Sequence, residues 1–329
     1  MQNIQTEKNE TLSLVIQIDG GIGRTICSVA ALEFLAKQNP NRKLFILTSH
    51  ADTFLGNPYI HRVYRLNNND YLWDDVIKKG EFIYPEPYYN RLYYTQKHHL
   101  IQSFNYLLNG CEDFSLPQIY LTKDEIKWGE NFIAARKKDS NKPVAILQPY
   151  GAAATFQENE FKDDTQRSLP PLQLDNLLQQ LKNDCVFINA CHISLNYPHV
   201  WQEQFTTRQL FSLIRACDFL LTVDSFASHA GAAFNKKGVL LLGGTYKENV
   251  GYSHYKVINR KGFPQGYMPN RFGSFIEKQN IGAMDFSEDE ILVIVNEVRS
   301  LISELQKPQK SQTECCKANE KCTKKSKKK

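Results

Sequence analysis

Residues 14–36 read LVIQIDGGIGRTICSVAALEFLA. The run Leu12–Ile18 is apolar and β-branched, Asp19–Gly23 interrupt it with three glycines, and Ile26, Val29, Ala30 and Leu35 then recur at helical spacing. Two familiar phosphate loops fail here on spacing. A Walker loop with Gly23 as its second glycine would begin on Ile18 and would carry Arg24 in place of its lysine. A dinucleotide fingerprint would need a third glycine at Ile26, after Gly21 and Gly23. What remains is a strand, a tight turn and a helix N-terminus. That arrangement either presents backbone N–H groups and a positive dipole end to an anionic or polar ligand, or only reverses the chain.

The alternation continues outward. KLFILTS (43–49) and IHRVYRL (60–66) read as a second and third strand, so two βαβ steps fit within the opening stretch and predict a parallel sheet covered by helices. From Tyr84 to Tyr106 the chain becomes dense in tyrosine, with His98 and His99, a composition suited either to an acceptor-binding surface or to packing between helices. The polar run KKDSNKP (137–143) then marks a boundary, and the pattern restarts. VAILQPYG, CVFINA, FLLTVDS and GVLLLGGT read as strands, LPPLQLDNLLQQLK, TTRQLFSLIRACD and SHAGAAFNK as helices. A closing helix at about Ser287–Gln306 carries Ile291, Ile294, Val295, Val298 and Ile302 on one face. The expected organisation is two Rossmann-like units, residues 1–140 and 141–306, facing a central cleft, followed by a disordered lysine-rich tail at 307–329.

The charge of the whole chain misleads. The formal net charge is +5, but the tail holds nine lysines and two glutamates, a net +7, which leaves −2 for residues 1–306. A broad basic field for nucleic acid is therefore not expected on the folded part, although the tail itself offers nonspecific phosphate affinity. Apolar residues make up 42% and charged residues 23%, the balance of a globular protein, with neither an apolar run long enough to span a membrane nor a secretory pattern in MQNIQTEKNE. The expected location is the cytoplasm, with peripheral contact at the inner face of the membrane left open. Cys27, Cys111, Cys185, Cys191 and Cys217 are scattered through apolar or mixed segments and read as reduced thiols. Cys315, Cys316 and Cys322 in the tail lack the spacing of a metal site.

Asp224 and Ser225 close a strand and open the helix that contains Ser228 and His229. They read either as a capping pair or, with the helix N–H groups, as a cradle for a diphosphate. There is no D-x-D pair after a strand to argue for a metal. The stretch VDSFASHAGAAFNKKGVLLLGGT (223–245) resembles the signature of the heptosyltransferase family, glycosyltransferase family 9, whose second domain has an Asp-Ser/Thr-x-x-x-His helix and a following strand that ends in Gly-Pro-Thr. Here that strand ends in Gly243, Gly244 and Thr245. The opening loop, and ILQPYGAAAT…RSLPPLQLDNLLQQL in the second half, resemble other parts of the same family, over roughly residues 12–306.

The resemblance implies a GT-B architecture and inverting, metal-independent transfer from a nucleotide diphosphate sugar. It favours an ADP-sugar as donor, a heptose-like sugar, and a lipopolysaccharide-type glycan or glycolipid as acceptor, with no separate cofactor. It places Arg167, Asp224, Ser225, Ser228, His229, Gly244 and Thr245 on the donor side, and Gly20, Gly21 and Gly23 in the acceptor-side loop. Two departures stand out. The family's Gly-Asp, whose aspartate is the general base, is matched here by Gly23-Arg24, so Asp19 becomes the nearest candidate base and Arg24 a candidate anion ligand. The family's Lys before Trp-Pro is matched by Arg167, Ser168, Leu169 and Pro170 after an inserted polar loop, TFQENEFKDDTQ, with the tryptophan missing. Two alternatives remain at this point: transfer to nucleic acid or protein, or nucleotide-sugar binding without turnover.

Overall fold

The computed structural model describes residues 12–66, 71–157, 160–163, 165–260 and 282–307. The lysine-rich tail beyond Lys307, with Cys315, Cys316 and Cys322, lies outside them.

The first half contains β1 (Ser13–Ile18), α1 (Ile22–Gln38), β2 (Leu44–Thr48), β3 (Arg62–Tyr64), β4 (Gly80–Ile83), α2 (Arg91–Tyr94), α3 (Leu100–Asn109) and α4 (Lys123–Ser140). Its strands form a parallel sheet in the order β3-β2-β1-β4, with Leu14 opposite Leu44 and Ile18 opposite Thr48. The second half contains β5 (Val144–Gln148), β6 (Thr155–Gln157), β7 (Glu160–Lys162), α5 (Pro171–Leu181), β8 (Val186–Asn189), β9 (Val200–Trp201), α6 (Thr207–Ala216), β10 (Phe219–Val223), α7 (Phe226–Ala233), β11 (Gly238–Leu242), α8 (Lys247–Val250), β12 (Tyr255–Asn259) and α9 (Glu288–Gln306). Among the described residues its parallel sheet runs β12-β11-β10-β5-β8-β9, and β6 and β7 pair as an antiparallel hairpin. That hairpin lies in the inserted polar stretch TFQENEFKDDTQ, expected from the sequence as a loop.

The central strands of the second sheet are mostly apolar and buried along their whole length because both faces are covered. Every residue of VAILQ, FLLTV and GVLLL is buried. Helix α9 lays Ile291, Ile294, Val295, Val298 and Ile302 on the same core as α5. Each such side chain removed from water is worth about 1.5–3 kcal/mol. The expected α/β, GT-B-type architecture is borne out.

Contact between the halves is closer than two units across an open cleft. Helix α1 packs on α3 within its own half, yet the core it forms also contains Ala232 of α7, Leu240 and Leu242 of β11, and Tyr252 and Tyr255. Polar ties reinforce this. Arg208 of α6 donates to Glu125 at the start of α4, to the Tyr120 carbonyl and to the Asp52 carbonyl, and it holds the Glu125 carboxyl down at about 2. Asn249 of α8 donates to the carbonyls of Tyr93 and His98. Helix α4 lies against α6, where a side chain on Gly129 would run into the backbone of Ser212. Cys27, Cys185, Cys191 and Cys217 are buried and Cys111 half-buried, all as free thiols.

Candidate active site

Strand β10 ends at Val223 and delivers Asp224, 5% exposed, to the mouth of α7. Ser225 is the N-cap residue, but its side chain forms no cap. Its Oγ lies 2.9 Å from Thr222 Oγ1 instead. Ser228, fully buried, donates to the Ser225 carbonyl at 2.7 Å and so faces the helix backbone. The capping pair that the sequence allowed is therefore not formed, and the first-turn N–H groups of α7 have no capping side chain from Ser225.

Arg167 Nη1 reaches Asp224 Oδ2 at 3.5 Å, a loose contact, with the arginine side chain 29% exposed and the aspartate 6%. The loop before Arg167 sets its aim. Asp163 accepts from the backbone N–H of Thr165 and of Arg167, and Thr165 Oγ1 accepts from Arg167 Nε at 3.2 Å. This loop is pinned to the end of β11 by the Gly244 N–H, which donates to the Gln166 carbonyl at 2.9 Å. A side chain on Gly244 would collide with the Thr165 and Gln166 carbonyls, which is why glycine stands there. Thr245 Oγ1 is buried next door with no hydrogen-bond partner among the described residues.

His229, 4% exposed, places Nε2 3.7 Å from Asp224 Oδ1 and Nδ1 2.7 Å from the Tyr252 hydroxyl, with Cys27 Sγ 3.3 Å from the same nitrogen. Burial pushes the imidazole below its ordinary range even though Asp224 pulls the other way. Burial also pushes Tyr252 and Cys27 up, so both keep their protons. A Tyr252 hydroxyl donating to Nδ1 leaves the proton of the neutral ring on Nε2, facing Asp224.

On the first-half side, β1 runs into Asp19, Gly20 and Gly21. Gly20 has φ +88°, and its carbonyl accepts from His50 Nε2 at 3.1 Å. Asp19 is half-buried. Gln17 Nε2 donates to both of its oxygens at 3.0 and 3.1 Å, and the Tyr84 hydroxyl bonds to it. Gly23 marks the crossing of α1 and α7: a Cβ there would stand 2.8 Å from His229 Cδ2. The glycine-rich loop and the Asp224–His229 block therefore touch.

Arg24, 5% exposed, donates through Nη1 to Glu86 Oε2 at 3.1 Å and through Nη2 to the Pro85 carbonyl at 3.1 Å, with its guanidinium 5.3 Å from the Tyr88 ring centre. The anion on Arg24 is thus a carboxylate of the chain itself. Glu86 Oε1 in turn accepts from the Tyr88 N–H at 3.3 Å and caps the short turn Pro87–Tyr89. Burial pushes the Tyr88 hydroxyl up to about 12, with the Arg24 and Arg167 charges lowering it and Asp224 raising it, so Tyr88 sits within the field of both halves. Within this tyrosine-rich tract nothing local in the sequence marks Glu86 or Tyr88. Of the tract, Tyr93, His98 and His99 are packed inside, whereas Tyr84 and Tyr89 are exposed. Among the described residues no group of three His, Cys, Asp or Glu side chains is placed to hold a metal ion, and no helix is long and apolar enough to cross a membrane.

Two parallel α/β units with the glycine-rich turn of one against the Asp-Ser helix of the other define the fold of a GT-B glycosyltransferase. No family model and no curated protein matches the chain in sequence. In structure it is similar to a glycosyl transferase of family 9 from Veillonella parvula DSM 2008, with 15% identity over 89% of this chain and 98% of that one and a TM-score of 0.64. It is also similar to the ADP-heptose lipopolysaccharide heptosyltransferase II of E. coli, with 10% identity, 89% and 99% coverage and a TM-score of 0.63. The E. coli heptosyltransferase WaaC, solved with ADP, follows with 12% identity, 89% and 100% coverage and a TM-score of 0.52. The chain has the heptosyltransferase fold, as its sequence signature implied.

Proposed function

We propose that this chain is an inverting glycosyltransferase that moves a sugar from a nucleotide diphosphate donor, an ADP-heptose-like compound, to a hydroxyl of a glycan or glycolipid acceptor. The observation that carries the reading is the mouth of α7. Its N–H groups have no side-chain cap from Ser225, and a partly exposed Arg167 lies beside them at the carboxyl end of the second sheet. A diphosphate fits both, because a helix N-terminus and a guanidinium fork each favour anionic oxygen. As the bond from sugar to diphosphate breaks, the charge on the leaving oxygen is met by Arg167 and the helix N-terminus rather than by a metal. Asp224 holds Arg167 in place, and the neutral His229 steadies Asp224 from the other side. The acceptor hydroxyl gives its proton to a carboxylate at the carboxyl end of the first sheet, with Asp19 as the candidate read from the sequence. Such an enzyme works in the cytoplasm and meets a lipid-borne acceptor at the inner face of the membrane.

Donor binding is the direct test. A ligand at 100 times its dissociation constant stabilises a protein by about 2.7 kcal/mol. ADP and ADP-heptose are expected to raise the melting temperature of the wild type and to leave Asp224→Ala unchanged. If ADP, GDP, UDP and their sugars all fail to shift the wild type, the reading is wrong.

A further inference from the structure

Arg24 stands where the resemblance implies an acceptor-side aspartate, and the carboxylate beside it, Glu86, comes from the loop after β4, 62 residues away. We propose that Glu86 is the catalytic base of the sugar transfer, with Arg24 as the positioning residue that aims it. The proposal rests on the glycosyltransferase reading above.

Three observations support it. Both arms of the guanidinium hold adjacent groups of one loop, Nη1 the Glu86 carboxylate and Nη2 the Pro85 carbonyl, while Oε1 takes the Tyr88 N–H. The carboxylate therefore has a fixed direction. Its side chain is 14% exposed, open enough to meet an acceptor hydroxyl and mostly out of bulk water, whereas Arg24 is 3% exposed and out of a ligand's reach. Glu86 also caps the turn that carries Tyr88, whose hydroxyl lies in the combined field of Arg24, Asp224 and Arg167. The ring of Tyr88, on the turn that Glu86 caps, thus reaches toward the donor side. Asp19, by contrast, is engaged by Gln17 of its own strand and by the exposed Tyr84.

Held by Arg24 at 3.1 Å, the Glu86 carboxylate is placed to accept a proton. In the step, the acceptor O–H proton passes to a Glu86 oxygen, and the acceptor oxygen's electron pair forms the bond to the anomeric carbon. The bond from that carbon to the diphosphate oxygen breaks, and its electron pair leaves with the diphosphate toward Arg167 and α7. The charge order of the family loop is inverted: the helix supplies the cation and the neighbouring loop supplies the base.

The test uses the full chain with ADP-heptose as probe, following ADP release to water, with ADP affinity measured separately by calorimetry. Glu86→Gln is expected to lower kcat by about 10²–10⁴-fold and to remove the low-pH limb of its profile. KM and ADP affinity should stay within about threefold of the wild type. Should Glu86→Gln melt early, Glu86→Asp carries the test, because it keeps the carboxylate and with it the low-pH limb at reduced rate. Wild-type turnover that survives in Glu86→Gln, or is lost in Asp19→Asn instead, overturns the assignment of Glu86 alone. A wild type that neither binds ADP nor releases it from ADP-heptose overturns this proposal and the glycosyltransferase reading together.

Discussion

The two strand-to-helix turns that meet at the site are electrostatic opposites. At β1–α1 the helix carries an arginine, Arg24, and a distant loop brings the carboxylate Glu86. At β10–α7 the turn carries the carboxylate Asp224, and a distant loop brings the arginine Arg167. The two pairs also differ in tightness. Arg24 and Glu86 lie 3.1 Å apart with side-chain exposures of 3% and 14%, Arg167 and Asp224 3.5 Å apart with 29% and 6%. In the first pair the cation is shut in, so it serves the architecture and leaves the carboxylate nearer the solvent. In the second the cation is the exposed partner and remains available to an anionic ligand.

This contrast is broken most directly by removing each arginine. Arg24→Leu strands Glu86 without its partner, and loss of one member of a buried pair costs about 3–5 kcal/mol. Denaturant unfolding should show that loss. Arg167→Ala should cost less, because its contact with Asp224 is looser and its guanidinium partly solvated, and should chiefly weaken ADP binding by about 10–100-fold, the value of one or two hydrogen bonds to a charged group. Equal destabilisation by both substitutions would erase the distinction.

A smaller effect comes from pH. Burial holds His99 at about 3, and it packs edge-on against Tyr252, the hydrogen-bond partner of His229. Because the folded value lies below the unfolded one of about 6.5, His99 leaves stability at its full value above pH 6.5 and erodes it as pH falls toward 3. Between pH 6.5 and 5 the loss amounts to about 2 kcal/mol from this one group. His229, also depressed by burial, adds in the same direction. His99→Asn should flatten the slope of unfolding free energy over that window. An unchanged slope would mean that His99 already titrates normally in the folded chain.

The smallest stability effect tests the open helix mouth. An N-cap serine replaced by alanine usually costs about 1 kcal/mol. Ser225→Ala should cost less than about 0.5 kcal/mol, because no cap bond exists to be lost. A full cap penalty in thermal unfolding would show that Ser225 does close α7 in solution, and would remove the main support for an anion there.

The contrast also explains what the sequence made legible. β1, β10 and β11 stand out because buried parallel strands are rich in apolar residues, and α9 because Ile291, Ile294, Val295, Val298 and Ile302 keep one face. The hairpin β6–β7 and the strand β4 escape that logic. Gly80–Ile83 has no buried residue, so it carries no apolar signature. Helix α4 buries only Gly129 and Ile133, although its start could have been read from Thr122 and Glu125, which form a capping box. At the site, Asp224, His229 and Arg167 were visible as residues on a motif. Glu86 was not, because its place beside Arg24 is created by the pairing of β4 with β1, a contact with no local trace in sequence. Nor could spacing reveal why Gly23 must be a glycine, since the atom it makes room for belongs to a histidine 206 positions later.

The joined core beneath that glycine bears on cooperativity. Since α1 shares apolar clusters with Ala232, Leu240 and Tyr252 and with Ala227 and Ala230, the facing sides of the two halves form one interior. Melting one half would strip the lining from the other, so the two sheets are expected to come apart in a single transition, and either half made alone would present the bare side of a divided core.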